Sequence, residues 1–262
     1  MAEIHKTAIV EDGARLGENV RIGAFSVIGP DAVLGDGVTV GHHVVIEGRT
    51  TVGAGTSISH FAALGGLPQD TSYKGEPTEV VIGASCIIRE YATVHRGTVR
   101  GKSRTVVGDS CFLMIGAHVA HDCVVGRNVV LVNNATLGGH VEVGEFAILG
   151  GLSAVQQRCR IGAHAFLGGL SAIVTAVIPF ASAIGDWAEL GGLNIVGLKR
   201  RGVDRPTIHA LRAAYQDIFN GTGSRPERVD RVAEKYRDVP AVMTIVDFIR
   251  QGGDRPLCTP RD

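Results

Sequence analysis

The chain has 262 residues, 45% of them hydrophobic, which is enough for one large core or two modest ones. Its 26 basic and 26 acidic residues cancel, so no bulk field selects nucleic acid or an anionic membrane. The first residues lack a basic start followed by an apolar run, and no uninterrupted apolar stretch reaches ~18 residues, so a cytoplasmic protein without stable membrane insertion is expected.

From Ile4, every sixth residue is Leu, Ile or Val: Ile4, Val10, Leu16, Ile22, Ile28, Leu34, Val40, Ile46, Val52, Ile58 and Leu64. The series resumes at Ile82, Ile88 and Val94. After a shift of phase it runs from Val107 to Ile173 without a break. The next residue is often Gly, as at Gly17, Gly35, Gly108 and Gly126, and the residue four after each aliphatic is small or β-branched. Cys86, Cys111, Cys123 and Cys159 fall in that small slot as inward filler. With Cys258 the cysteines number five, and no CxxC pair occurs, so neither a disulfide framework nor a structural zinc site is expected.

A six-residue period is neither a 3.6-residue helix nor a two-residue strand repeat. It fits a short strand plus a corner, and three such units close a triangular coil. The expected fold is mainly β: a parallel β-helix whose corners the glycines permit, stacked at ~4.8 Å per coil. Residues 66–81 and 100–106 break the frame and are expected to be loops carrying function. The repeat ends near Pro179. Residues 1–190 are read as the β-helix domain and 191–262 as a C-terminal α-helical domain. In the latter, Asp204 caps a helix with Pro206 in its first turn, Gly221 stops it, and two further apolar stripes start at Val229 and Val242. The DRPLCTPRD end is expected to fray.

Within the unbroken run, residues 18 apart stack. His121, Gly139 and Gln157 form one column, Asp122, His140 and Arg158 the next, with Gln156 on the same face and His118 at the adjacent corner. A histidine accepts a proton near neutral pH, Asp122 is placed to fix its tautomer, and a glycine amide stabilises an oxyanion. Neighbours in a strand point opposite ways, which counts against the His121–Asp122 pairing. Lys199, Arg200 and Arg201 form a cationic cluster fit for a diphosphate. Three histidines also admit a second reading, a zinc hydratase on the same prism, but the His118/His121 spacing is narrower than such sites use and no metal site is expected. An inactive scaffold is a third reading.

The segments QD…YKGEPT (69–78), IREYATVHRGT (88–98), AHVAHDC (117–123), NNATLGGHVEV (133–143) and GLKRRG (197–202) together resemble the UDP-N-acetylglucosamine acyltransferases of lipid A synthesis. The resemblance covers essentially the whole chain. It implies a left-handed coil, a homotrimer with sites between neighbouring prisms, no cofactor, and two substrates: a UDP-sugar and a 3-hydroxyacyl group on acyl carrier protein. By motif, His121 corresponds to the general base, Asp122 to its partner and Gly139 to the oxyanion amide. Asp70, His118, His140 and Gln157 correspond to acceptor-site residues, and Asn194, Arg200 and Arg201 to nucleotide contacts. Gly169 corresponds to the residue that limits acyl length, with Trp187 nearby. Ser72, Gln156, Val196 and Trp187 depart from the family pattern, leaving a 3-amino acceptor open as an alternative to the 3-hydroxyl. Arg96, Arg100, Lys102 and Arg104 are candidates for docking the acidic carrier protein.

Overall fold

The aliphatic ladder folds as the six-residue period requires. In the computed structural model, which describes residues 2–261, nearly every repeat is a two-residue strand ending on the ladder residue, such as Val124–Val125 or Thr136–Leu137. The strands build three sheets of 11, 9 and 8 strands, and each sheet takes every third strand of the β-helix. The chain is a left-handed parallel β-helix followed by C-terminal helices. Its faces are first, second and third in the order in which the chain meets them. Val125 pairs with Val143 and Val143 with Ile161, which shows the 18-residue coil directly. Ile28, Leu64, Leu113, Leu131 and Leu149 are among the fully buried side chains of one continuous column. The exception is the first coil: Ile4 is 44% exposed because, among the described residues, its strand has a partner on one side only.

The corners correct one expectation. The left-handed backbone positions are occupied mainly by residues other than glycine, including Phe25, His43, Asp122, His140 and Arg158, all with φ near 60°. The ladder glycines serve a different need. A Cβ on Gly108 or Gly126 would lie 2.7 Å from a backbone nitrogen of the next coil. Glycine lets successive coils approach to strand spacing.

Both frame breaks are excursions, with other bounds than expected: the first spans 67–78 and is shorter, and the second spans 96–103, beginning and ending earlier. Strands resume at Glu79 and at Arg104, so the ends of both segments belong to the third face. Glu79 pairs with Arg49 below and Arg104 above, so both excursions re-enter in register, while the first leaves through a register shift between Leu64 and Gly66.

The β-structure continues past Pro179 as a hairpin of Ala181–Ile184 and Glu189–Leu193. Four helices follow, one more than expected: α1 (Ile195–Arg200), α2 (Arg205–Asn220), α3 (Arg225–Lys235) and α4 (Pro240–Gln251). The GLKRRG segment thus ends a short helix rather than forming a bare turn. Asp204 accepts the Thr207 amide at 3.0 Å and caps α2, which stops at Gly221. The C-terminal segment does not fray over the described residues 254–261, and Asp262 lies outside them. Cys258 is 2% exposed, its amide donates to the Ala176 carbonyl at 2.8 Å, and Leu190 pairs with Pro260.

Candidate active site

The corner between the second and third faces gathers the proposed chemistry. His121 and Asp122 follow the strand His118–Val119 and lie in the turn before Val124–Val125. The alternation of a strand therefore does not apply to them. Asp122 takes φ 60°, and its carboxylate accepts from His121 Nδ1 at 2.9 Å. The side chain is fully buried. It also accepts from the Thr98 amide at 3.0 Å, the Thr98 hydroxyl at 2.7 Å and the Lys102 amide at 2.8 Å. Its own amide donates to Thr105 Oγ1. A Cβ on Gly101 would run into the carboxylate. The second excursion is therefore wrapped around Asp122. Burial pushes that carboxyl up, but the bonds from His121, Thr98 and Lys102 outweigh it and hold it at about 2. Sequence reading named neither Thr98 nor the Lys102 amide, because backbone donors leave no side-chain signature.

His121 is fixed on its other side by Gly139. A Cβ there would lie 2.6 Å from His121 Cε1 and Nε2, so the ring rests on the glycine backbone. Among the described residues the Gly139 amide donates to no acceptor, while the Gly138 and His140 amides on either side are both engaged. His140 stands edge-on to His121 with ring centroids 5.0 Å apart, and its amide donates to the His121 carbonyl. Burial lowers the His140 pKa, Asp122 raises it, and Arg158 and Lys102 lower it further.

These groups open on a cavity of about 530 Å³. Its walls include His121, His140 and Gln157 from the column, Asp70 and Ser72 from the first excursion, and Arg100 from the second. Asp70 accepts the Ser72 amide at 2.8 Å, and bonds from Ser72 lower its pKa. Lys74 does not line this cavity; its ammonium reaches the Thr71 carbonyl.

Other candidates fall outside the cavity in the single chain. Gln156 is exposed one position before Gln157 and takes no part in the wall. His118 lies on the second face, with Nδ1 2.7 Å from Thr93 Oγ1 and its ring edge-on to His95. Burial, reinforced by His95 and His121, lowers its pKa to about 4, so it is neutral at pH 7. Asn194, Val196, Arg200 and Arg201 line a separate cavity of about 570 Å³ against Ile148 and Phe166 of the first face. There the Asn194 side chain caps α1 through the Gly197 amide and donates to the His164 carbonyl. Arg201 donates to the Phe146 carbonyl at 2.8 Å and lies over the Phe146 ring. Both have structural work inside the chain, and Arg200 has the freer head group. Gly169 and Trp187 are exposed near the helical end, Trp187 at 71%, beside the exposed Leu152 and Leu170. Of the cations considered for docking, the Arg96 guanidinium packs against Gly48 and is partly buried, which removes it from a docking surface.

His121, Asp122 and His140 offer ligand atoms within 4.8 Å of one another. Both Asp122 oxygens already receive hydrogen bonds, one of them from His121 itself. That saturated donor set fits an oriented proton acceptor better than a metal centre, and His118 is not part of it.

Comparison with known proteins gives the arrangement a family. A family model described as "Udp N-acetylglucosamine O-acyltransferase; Domain 2" matches residues 177–258, and a bacterial transferase hexapeptide model matches 104–139. An acyl-[acyl-carrier-protein]–UDP-N-acetylglucosamine O-acyltransferase from Rhizobium johnstonii is 46% identical over 259 residues, covering 99% of this chain and 95% of the relative. Its counterpart from Caulobacter vibrioides is 53% identical over 200 residues, 76% of each chain. The solved UDP-N-acetylglucosamine acyltransferase from Campylobacter jejuni superposes with TM-score 0.94 at 36% identity, covering 99% of this chain and 100% of that one. By sequence over nearly its whole length and by fold, the chain belongs to the UDP-N-acetylglucosamine O-acyltransferase family.

Proposed function

We propose that this chain transfers a 3-hydroxyacyl group from acyl carrier protein to the 3-hydroxyl of UDP-N-acetylglucosamine, the first step of lipid A synthesis. The observation that carries the mechanism is the Asp122–His121–Gly139 alignment: a buried carboxylate on Nδ1 and a ring seated on a glycine with a free amide. Asp122 holds the proton on Nδ1 and leaves the Nε2 lone pair for the substrate.

His121 Nε2 takes the proton of the 3-hydroxyl as its oxygen attacks the thioester carbonyl. The carbonyl oxygen becomes an oxyanion and accepts from the Gly139 amide. The intermediate then collapses: the C–S bond breaks, the thiolate takes the proton from the His121 imidazolium, and the ester and a free carrier thiol leave. Asp70, His140 and Gln157 bind the sugar, and Gly169 with Trp187 bounds the acyl chain. The enzyme is cytoplasmic and needs no cofactor or metal for this step.

A homotrimer completes the site. The Asn194/Arg200/Arg201 cavity opens on the first face, and none of its residues lines the His121 cavity of the same chain. A neighbouring copy is the natural source of the nucleotide contacts. Among the described residues no helix is long and apolar enough to cross a membrane.

The test is an acyl-transfer assay with purified protein, UDP-N-acetylglucosamine or its 3-amino analogue, and a ladder of 3-hydroxyacyl carrier proteins. The 3-hydroxy acceptor is expected to be preferred. Preference for the amino analogue would assign amide formation instead, and no transfer to either would overturn the proposal.

A further inference from the structure

Beside the His121 cavity lies a second one of about 320 Å³, and the two share Arg100, His140 and Arg158 as common wall. The second is strongly basic. Arg100, Lys102, Arg158 and Arg160 line it, against Glu142 and Asp254. The cations are not equally committed. Arg160 is tied into the fold: it lies 4.2 Å over the Phe248 ring and donates to the Phe248 carbonyl and Gln251 Oε1. Lys102 pairs with Glu142 at 2.6 Å and Arg158 with Asp254 at 3.1 Å, both at exposed positions where such pairs hold their partners weakly. The Arg100 side chain has no ion pair or hydrogen bond among the described residues. Two acidic groups against four basic ones leave an uncompensated positive charge about the size that a diphosphate brings.

We infer that Arg100, Lys102 and Arg158 form a subsite for the diphosphate of the sugar nucleotide, one that the family motifs do not supply. The inference rests on the acceptor reading above and assigns a new part of the acceptor site. Geometry favours the sugar nucleotide over the phosphopantetheine arm of the donor. Arg158 stands two coils above Asp122 in the same column, ~10 Å at strand spacing. A hexose ring sets its anomeric phosphate little more than one such spacing from the 3-hydroxyl held at His121. The pantetheine arm carries its phosphate several spacings away from the thioester. His140 stands in the shared wall, between the proton acceptor and the cations.

The experiment is isothermal calorimetry on the full chain with three probes: UDP-N-acetylglucosamine, UDP, and acyl-phosphopantetheine. The variants are Arg100→Gln, whose side chain bonds to nothing within the fold, and Arg158→Gln, with thermal unfolding as the control for folding. Each variant is expected to lose about tenfold in affinity for both uridine probes, with a shallower salt dependence, and to keep its affinity for the acyl-phosphopantetheine. Unchanged uridine-probe affinity in both folded variants would overturn the subsite. Loss confined to acyl-phosphopantetheine would also overturn it and move the cations to the donor arm. Failure of the unmodified protein to bind UDP-N-acetylglucosamine would instead overturn the acceptor reading on which the subsite depends.

Discussion

Replacing Asp122 by Asn probes how the proton acceptor is held. The carboxylate accepts from the Thr98 amide, the Thr98 hydroxyl, the Lys102 amide and His121 Nδ1 at 2.7–3.0 Å. Asn offers one accepting oxygen and one donating NH₂ in the same space. If the oxygen stays on the two loop amides, the NH₂ takes the place of Oδ2 and faces His121 Nδ1. It then donates to that nitrogen and drives the ring proton onto Nε2, where the base must be bare. The stability cost follows from the carboxyl held at about 2 rather than its usual 3.8. That depression corresponds to about 2 kcal/mol at neutral pH. The wrong tautomer costs the general-base contribution, about 10²–10⁴-fold in kcat. Steady-state acyl transfer at saturating substrates reads the rate, and urea unfolding reads the stability. An Asp122→Asn enzyme within about threefold of the native kcat would refute the tautomer argument, whatever its stability.

Four further outcomes follow from the same geometry. Gly139→Ala puts a methyl 2.6 Å from the His121 ring and is expected to cut kcat at least about tenfold while melting close to the native protein, since the ring can swing into the cavity. Gly169→Met is expected to shift the donor profile toward shorter chains by up to about two decades for four methylenes, at ~0.8 kcal/mol each, read on the donor ladder. Leu131→Ala, at a fully buried ladder position, is expected to cost about 2–5 kcal/mol in chemical denaturation. Acid is expected to weaken the fold in two windows. His118, held neutral to about 4, favours the unfolded state as pH falls below 6.5, by about 1–2 kcal/mol at pH 5. Asp122 adds its loss only below 3.8, so the urea midpoint should already drop between pH 7 and pH 5, and His118→Asn should flatten that drop.

The six-residue ladder made the architecture legible, because one large side chain per strand is a condition that the sequence must meet at every repeat. The same arithmetic placed His121 beneath Gly139 and Gln157, since stacking in an unbroken run needs only counting. Four things were hidden. The turn conformation of Asp122 removes the alternation that argued against its pairing with His121; such left-handed positions recur every six residues, but side chains as different as Asn128, Phe146, Leu152 and Arg158 occupy them, so residue type does not mark them. The cage around Asp122 is made of backbone amides from residues 98 and 102, which belong to an excursion whose path no periodicity dictates. Asn194 and Arg201 read as ligand contacts by motif, yet their side chains cap α1 and brace it against Phe146, work visible only once the helix is placed. The C-terminal segment reads as polar and proline-rich, but Cys258 and Leu257 anchor it through strand-like bonds to Ala176.

The central claim is that His121 removes the acceptor proton, and the most direct measurement is kcat of His121→Ala in the acyl-transfer assay, with the oligomeric state checked by size-exclusion chromatography. A fall of at least about a hundredfold with the assembly intact is the predicted result. Turnover near the native value in an intact assembly would contradict it.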